Sequence, residues 1–439
     1  MTFLWRRRKC GRGGKRDKAI KPINSKKELT IPTHFRCPIS LDLMKDPVSL
    51  STGITYDRES IEKWIDAGNV TCPVTKQTLR NFDLIPNHAL RKMIQEWCVD
   101  NKSYGVERIP TPRVPISPYE VSEICTRMLA ATKNGDAKNC EELVKKIKNS
   151  ARESERNRRC IVSNGIGSGL ADMFETFACF SADKHVDLLK EILSALTWSF
   201  PLGEEGVTRL KSTVSLRCMT WFMNSEDLFS KQNAIFVLKD MIYEDQSCLD
   251  GLAQIEGIEE ALFHIVKVPI CPKATQACLV IIHRMMLLQE KGSIITLRFV
   301  QMGIIPLILD ILVEGNKGIC EKALGVLDSI CNLKEGKESA CDNALTVPLI
   351  VKKILRVSDT ATKFSISILW KLILGENENV VIEAVQLGAF QKLLVVLQVG
   401  CSERTKEKVT ELLKLMNMYR DKLDCFDSSM GFKYMKRSN

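Results

Sequence analysis

Aromatic residues are scarce in this chain, 6% of 439 residues, although hydrophobic residues reach 45%. That shortage, beside many Leu, Ile, Val and Ala, leans away from a β-sandwich and towards packed helices. No stretch reaches the roughly 18 to 20 apolar residues that span a bilayer. A signal peptide is not expected either: residues 1–5 are largely apolar, but Arg6-Arg7-Arg8-Lys9 stands where the hydrophobic run should lie. Thr2, not glycine, follows Met1, and no C-terminal prenylation box is present. The expectation is an intracellular protein. The 17 cysteines agree, being odd in number, scattered and often at apolar helix positions, as in Ala277-Cys278-Leu279 or Cys160-Ile161-Val162. Such thiols behave as small hydrophobes in a reducing compartment, so a disulfide framework is not expected.

Positive charge is unevenly spread. The net charge is +10, yet residues 1–30 hold eleven Lys or Arg against Asp17 and Glu28. The remainder is close to neutral, which does not suggest a nucleic-acid-binding surface. Residues 1–30 lack periodicity and read as a disordered basic tail. It is either a solubilising arm, a nuclear address or an attraction to anionic lipid.

Residues 31–105 have the punctuation of a small α+β module. Asp46–Leu50 and Ile54–Tyr56 flank Ser51-Thr52-Gly53, as two short strands around a turn. Asp57 stands as an N-cap for a helix from Arg58 to Ala67, and Gly68 stops it. Ile61, Trp64 and Ile65 give that helix an apolar face and one protruding aromatic. Asn87 caps a second helix bearing Leu90, Met93, Ile94 and Trp97 at helical spacing. Prolines 110, 112, 115 and 118 then exclude a continuous helix and mark a connector over 106–118.

From 119 to 425 the chain reads as helix after helix, with 426–439 as a tail. Gln301-Met302-Gly303-Ile304 and Gln386-Leu387-Gly388-Ala389 recur with their glycines 85 residues apart. That is about twice the armadillo or HEAT period of roughly 40 to 47. Weaker starts lie at Ala344-Leu345-Thr346, Ile255-Glu256-Gly257 and Ser163-Asn164-Gly165. Long apolar-periodic helices follow, as at 273–288, 320–333, 362–374 and 406–418. Five or six degenerate repeats of an α-solenoid are expected, with an irregular helical bundle as the alternative.

Two tetrapeptides carry the functional reading: Cys37-Pro38-Ile39-Ser40 and Cys72-Pro73-Val74-Thr75. A RING finger would place a second zinc-binding Cys where Ser40 and Thr75 stand, and neutral hydroxyls are poor zinc ligands. Cys37, Cys72, Cys98, His34 and His88 cannot build two four-ligand sites, so no metal is expected. Hydroxyl and carboxylate hydrogen bonds and packing must hold the loops.

With Ile31-Pro32, Phe35-Arg36-Cys37-Pro38-Ile39-Ser40-Leu41, Asp46-Pro47-Val48, Thr52-Gly53-Ile54-Thr55-Tyr56-Asp57-Arg58, Cys72-Pro73-Val74-Thr75 and Leu84-Ile85-Pro86-Asn87, the module resembles a U-box, the metal-free relative of the RING. Tyr104-Gly105-Val106-Glu107-Arg108-Ile109-Pro110 and the helical repeats resemble the plant U-box/armadillo ligases, nearest the U-box domain-containing protein 21-like subgroup. The resemblance implies a mostly α chain: a zinc-free α+β U-box, then an armadillo-type solenoid. It implies an E3 ubiquitin ligase that docks an E2 carrying thioester-linked ubiquitin, with the substrate chosen by the repeats, in stress or defence signalling. No catalytic residue, cofactor or covalent E3 intermediate is implied, and Cys37 and Cys72 are expected to be structural.

The resemblance places Ile39, Leu41, Trp64 and Pro73 at E2-contact positions. Exposed apolar groups on rigid loops would suit an apolar patch on the partner. Lys76 lies near where several U-boxes carry an Arg that bridges E2 and ubiquitin. A flexible ammonium is not a planar fork, so either this linchpin is weaker here or its task is done elsewhere, with Lys76 as a solvated surface charge the plain alternative. A non-catalytic scaffold and an importin-like cargo groove are the competing readings. The second is disfavoured because Trp198, Trp221 and Trp370, the only Trp in the repeats, are unevenly spaced. A cytoplasmic location is expected, with nuclear or peripheral membrane placement through the basic tail as further readings.

Overall fold

The computed structural model describes residues 30–107, 109, 115–181, 184–374 and 378–429. The basic segment before Thr30, the middle of the proline-rich connector and residues 430–439 lie outside the described residues. The chain divides into two compact units, Met1–Val114 and Pro115–Asn439.

In the first unit, β1 (Pro47–Ser49) and β2 (Thr55–Asp57) form the expected hairpin, with Val48 opposite Tyr56. The turn closes because Gly53 adopts φ +80°, open to glycine at little cost. Its amide donates to the Leu50 carbonyl at 2.9 Å. Helix α1 (Arg58–Asp66) follows at once and ends where Gly68 enters the left-handed region. A third strand, β3 (Ile85–Pro86), pairs antiparallel with β1 and gives the sheet order β2-β1-β3. Helix α2 (His88–Asp100) starts at Asn87, whose side chain accepts from the Leu90 amide at 3.0 Å. Val48, Tyr56, Ile61 and Ile94 form the centre of a small core, with Cys37 and Cys72 buried in it.

The second unit holds twenty helices between Pro118 and Ser429 among the described residues. Pro118, assigned to the connector by its proline content, is the first residue of a helix. Ser117 and Glu120 form a capping box around it. Proline fits that position because its missing amide would be unpaired there anyway. Seven long helices set the frame: Ala137–Glu153, Val186–Leu196, Leu228–Glu244, Pro272–Met286, Lys317–Ile330, Asp359–Ile373 and Glu403–Ser429. Each packs on the next.

The sequence pattern marks five or six repeat starts. Gly257, Gly303 and Gly388 do turn the chain at φ +82°, +85° and +79° before a helix. At Leu345 the same junction is right-handed, so no glycine is needed there. The helices also begin earlier than their apolar periodicity. Asn316 and Ser358 cap the amides of Ile319 and Ala361, and the first turns are polar. Polar ties run between neighbouring long helices, as from Lys371 Nζ to Asp328 Oδ1 at 2.7 Å and from Lys408 Nζ to Ser367 Oγ at 2.7 Å. No single described helix is long and apolar enough to cross a membrane.

Candidate functional site

The two tetrapeptides build the same turn twice. The Cys37 amide donates to the Asp42 carbonyl and the Leu41 amide donates back to the Cys37 carbonyl, both at 2.8 Å. In the second loop the Cys72 amide donates to Gln77 at 2.8 Å and Lys76 donates to Cys72 at 2.9 Å. An isolated bridge closes each base, Arg36 with Leu43 and Thr71 with Thr78. The hydroxyls standing where a RING has cysteine tighten the turns. Ser40 Oγ accepts from the Asp42 amide, and Thr75 Oγ1 from the Gln77 amide, each at 3.4 Å. Leu41 and Lys76 take equivalent places at φ +62° and +59°. A side-chain-bearing residue there costs roughly 1 to 2 kcal/mol, so each is held by its turn.

Buried sulfur and carboxylate fasten these turns to the sheet. Cys37 Sγ accepts from the Asp57 amide at 3.3 Å. Cys72 Sγ accepts from Thr52 Oγ1 at 3.4 Å and lies 3.0 Å from the Tyr56 hydroxyl. Tyr56 Oη accepts in turn from the Val74 amide at 3.3 Å, which leaves its proton for the sulfur. Burial alone would raise the Cys72 thiol, but hydrogen bonds from Thr52, Thr75 and Tyr56 outweigh it and lower the value to about 6. The same balance holds Cys37 below its ordinary value, with amides of Ser40, Asp57 and Ile39 outweighing burial. Burial, then the bond to Cys72, pushes the Tyr56 phenol well up. Both thiols are fully buried, so neither meets an electrophile, and the donors serve the fold.

Asp57 does not cap α1 with its side chain. Its Oδ1 instead accepts from the amides of Lys45 at 2.7 Å and Asp46 at 2.9 Å, tying the approach to β1 to the end of β2. Asp46 binds Arg58 Nε through Oδ2 at 2.7 Å and Arg91 Nη2 through Oδ1. One carboxylate thus joins the starts of β1, α1 and α2. Among the described residues no group of three His, Cys, Asp or Glu is placed to hold a metal ion.

The predicted contact residues sit on this frame unequally. Leu41 is 68% exposed at the tip of the first loop. Ile39 is half-buried, with one side on the small core. Pro73 is also half-buried. Trp64, read from sequence as protruding, is half-buried. Its Nε1–H donates to the Thr71 carbonyl at 2.8 Å and anchors the second loop to α1. Lys76 is exposed, and its ammonium lies 5.8 Å from the centre of the Trp64 ring. The structure therefore brings Trp64 and Lys76 together. Val74, 51% exposed, completes the apolar rim and was missed. Its signal was present, because Val74 occupies in the second turn the place of Ile39 in the first. The two turns thus carry apolar side chains and the Lys76 ammonium on backbones with little freedom. That arrangement suits recognition of an apolar patch on another protein.

Family models match over residues 31–103, described as U-box domain, and over 120–436, described as Plant U-box protein ARM repeat region. The chain is 46% identical to U-box domain-containing protein 21 of Arabidopsis thaliana, across the whole of both chains. It is 43% identical to U-box domain-containing protein 20 of the same plant, over 96% of each chain. It is 33% identical to E3 ubiquitin-protein ligase PUB23, also from Arabidopsis thaliana, over 93% of this chain and 98% of that one.

Proposed function

The chain belongs to the plant U-box proteins with an ARM repeat region, and on that premise we propose that it is an E3 ubiquitin-protein ligase whose first unit docks a ubiquitin-charged E2. The observation that carries the reading is the set of apolar side chains Ile39, Leu41, Trp64, Pro73 and Val74 on and beside two hydrogen-bonded turns. Relatives of the same construction bear the name of the activity.

In this mechanism the thioester belongs to the E2. A substrate lysine amine, as free base, attacks the thioester carbonyl. An isopeptide bond forms, the bond to the E2 sulfur breaks, and the thiolate leaves. The ligase supplies proximity and orientation, and no acyl group passes through its own residues. Lys76 acts on the ubiquitin side of the docked pair, as a point charge where a guanidinium would grip in two places. The repeats choose the substrate. The location is cytoplasmic, with the basic segment adding nuclear or membrane-surface residence, and the setting is plant stress or defence signalling.

The test combines the purified full chain with E1, a broadly acting E2, ubiquitin and ATP in the presence of a zinc-selective chelator. Conjugates should form at the chelator-free rate. Their absence, with E1 and E2 charging intact, would favour a scaffold that merely binds partners.

A further inference from the structure

A polar hollow of about 440 Å³ opens in the first repeats, where the helices Ala137–Glu153, Glu155–Ser163 and Val186–Leu196 meet. A smaller one of about 220 Å³ shares Lys148 and Arg152 with it. The walls are fixed by buried polar contacts. Lys148, with its side chain 9% exposed, bonds Glu191 Oε2 at 2.5 Å and joins two of the helices. Asn157, also buried, donates through Nδ2 to the Ser150 carbonyl at 3.0 Å and accepts from the Ile116 amide at 3.1 Å. Those bonds set the start of the short helix against the end of the preceding one. A site built this way needs little ordering when a ligand arrives.

Its free polar groups are donors. Arg152 is exposed and has neither an ion pair nor a hydrogen-bond partner among the described residues. Arg158 has only Glu155, at 3.7 Å, which is an ion pair too long for a hydrogen bond. Ser154 Oγ accepts from the Asn157 amide and keeps its own proton to give. The Ser194 hydroxyl and the Trp198 indole N–H, both on the lining, have no partner among the described residues. Glu155 and Glu191 are the acids on the walls, against Lys148, Arg152 and Arg158, while Lys145 is held by Glu141, so Arg152 is the cation left over. The balance is positive. The Arg152 and Arg158 guanidiniums and the hydroxyls on the lining supply more donors than one carboxylate can accept, whereas a phosphoryl dianion offers a further oxygen and a second charge. The indole beside them gives the neighbouring part of a peptide an apolar surface with one donor.

We propose that this hollow binds a phosphorylated serine or threonine side chain on the protein segment the repeats select. The assignment rests on reading the repeats as the substrate-choosing part. It makes phosphorylation of the substrate a condition for its capture.

The experiment uses the full chain and fluorescein-labelled degenerate short peptides with one fixed central residue, read by polarisation. The phosphoserine pool should bind about tenfold tighter or better than the serine pool. Arg152→Glu should abolish that preference, Arg152→Lys should retain part of it, and Lys138→Glu, at the far end of the same helix, should leave it intact. Equal binding of the two pools by the native chain would overturn the proposal. So would a preference that survives Arg152→Glu in a folded protein. A glutamate pool binding as tightly as phosphoserine would show a carboxylate site instead. Arg152-dependent binding to phosphoinositide vesicles without peptide preference would show a lipid site. No E1, E2 or ubiquitin is in the tube, so failure here and failure of transfer are separate results.

Discussion

The two units close on different materials. In the first, a few polar atoms hold short elements together: the Asp46 carboxylate grips Arg58 and Arg91, and the Cys72 sulfur sits among hydroxyls. In the second, one apolar cluster runs from Val121 to Met416, and hydrogen bonds between helices are auxiliary. A small module cannot bury enough surface to be stiff by packing alone and needs a staple. A solenoid spreads its stability over nearest-neighbour interfaces. The first construction makes rigid turns at named points. The second makes a long surface whose parts can change separately. Single-residue damage should therefore be concentrated in the first unit and dispersed in the second.

The largest expected effect is at Asp46. Asp46→Ala removes the carboxylate shared by two partly buried guanidiniums, leaving Arg58 only Glu62 at 3.9 Å, and should cost the first unit roughly 3 kcal/mol. Hydrogen exchange on the full chain would show it. Amides of Val48 and Tyr56 should lose protection, while those of Ile366 to Leu369 should keep theirs. Equal loss in both units would break the comparison.

Next comes the sulfur. A folded thiol value depressed to about 6, against about 8.5 in an unfolded chain, means that the stabilisation is fully present above the unfolded value and is lost as pH falls towards 6. Cys37 acts in the same direction. Denaturant titrations followed by exchange in the first unit should thus show stability rising from pH 6 to 8.5. Cys72→Ser should flatten much of that slope, and a slope unchanged by the substitution would remove the sulfur from its place in the fold.

A smaller effect is expected at Trp64. Trp64→Phe keeps a ring but removes the donor to Thr71, worth about 1 kcal/mol, or roughly fivefold in E2 affinity through a looser second loop. Titration with E2 checks it. The smallest effect belongs to the repeats. Gly303→Ala, at φ +85°, should cost about 1 kcal/mol in one junction. Exchange should rise near 300–305 and nowhere in the first unit.

What the sequence disclosed was the local part of the fold. The β1–β2 hairpin, the Asn87 cap, the Gly68 stop and the left-handed glycines at 303 and 388 each depend on a few adjacent residues, and each was legible. What depended on distant partners was not. Asp57 stands where an N-cap stands, yet its carboxylate goes to amides on the approach to β1. Trp64 looked like a projecting anchor, but its indole N–H finds a carbonyl in the next loop. The thiols looked like plain hydrophobes until Thr52 and Tyr56 were seen donating to one of them. The junction at Leu345 turns in the right-handed region and needs no glycine, although the sequence marks a weak start there. On the two turns, Leu41 and Lys76 were legible as exposed, and Val74 went unnoticed although the repeated turn pointed to it.

The central claim is that the rim on the two turns docks a charged E2. Single-turnover discharge of that E2 to free lysine, measured with E2 affinity by titration, tests it most directly. Ile39→Ala and Pro73→Ala should each lose roughly 1 to 4 kcal/mol of E2 binding and slow discharge in proportion, with β1 and β2 amides still protected. Lys76→Ala should leave affinity nearly unchanged and slow discharge alone. Discharge at the native rate by folded Ile39→Ala and Pro73→Ala proteins would contradict the account.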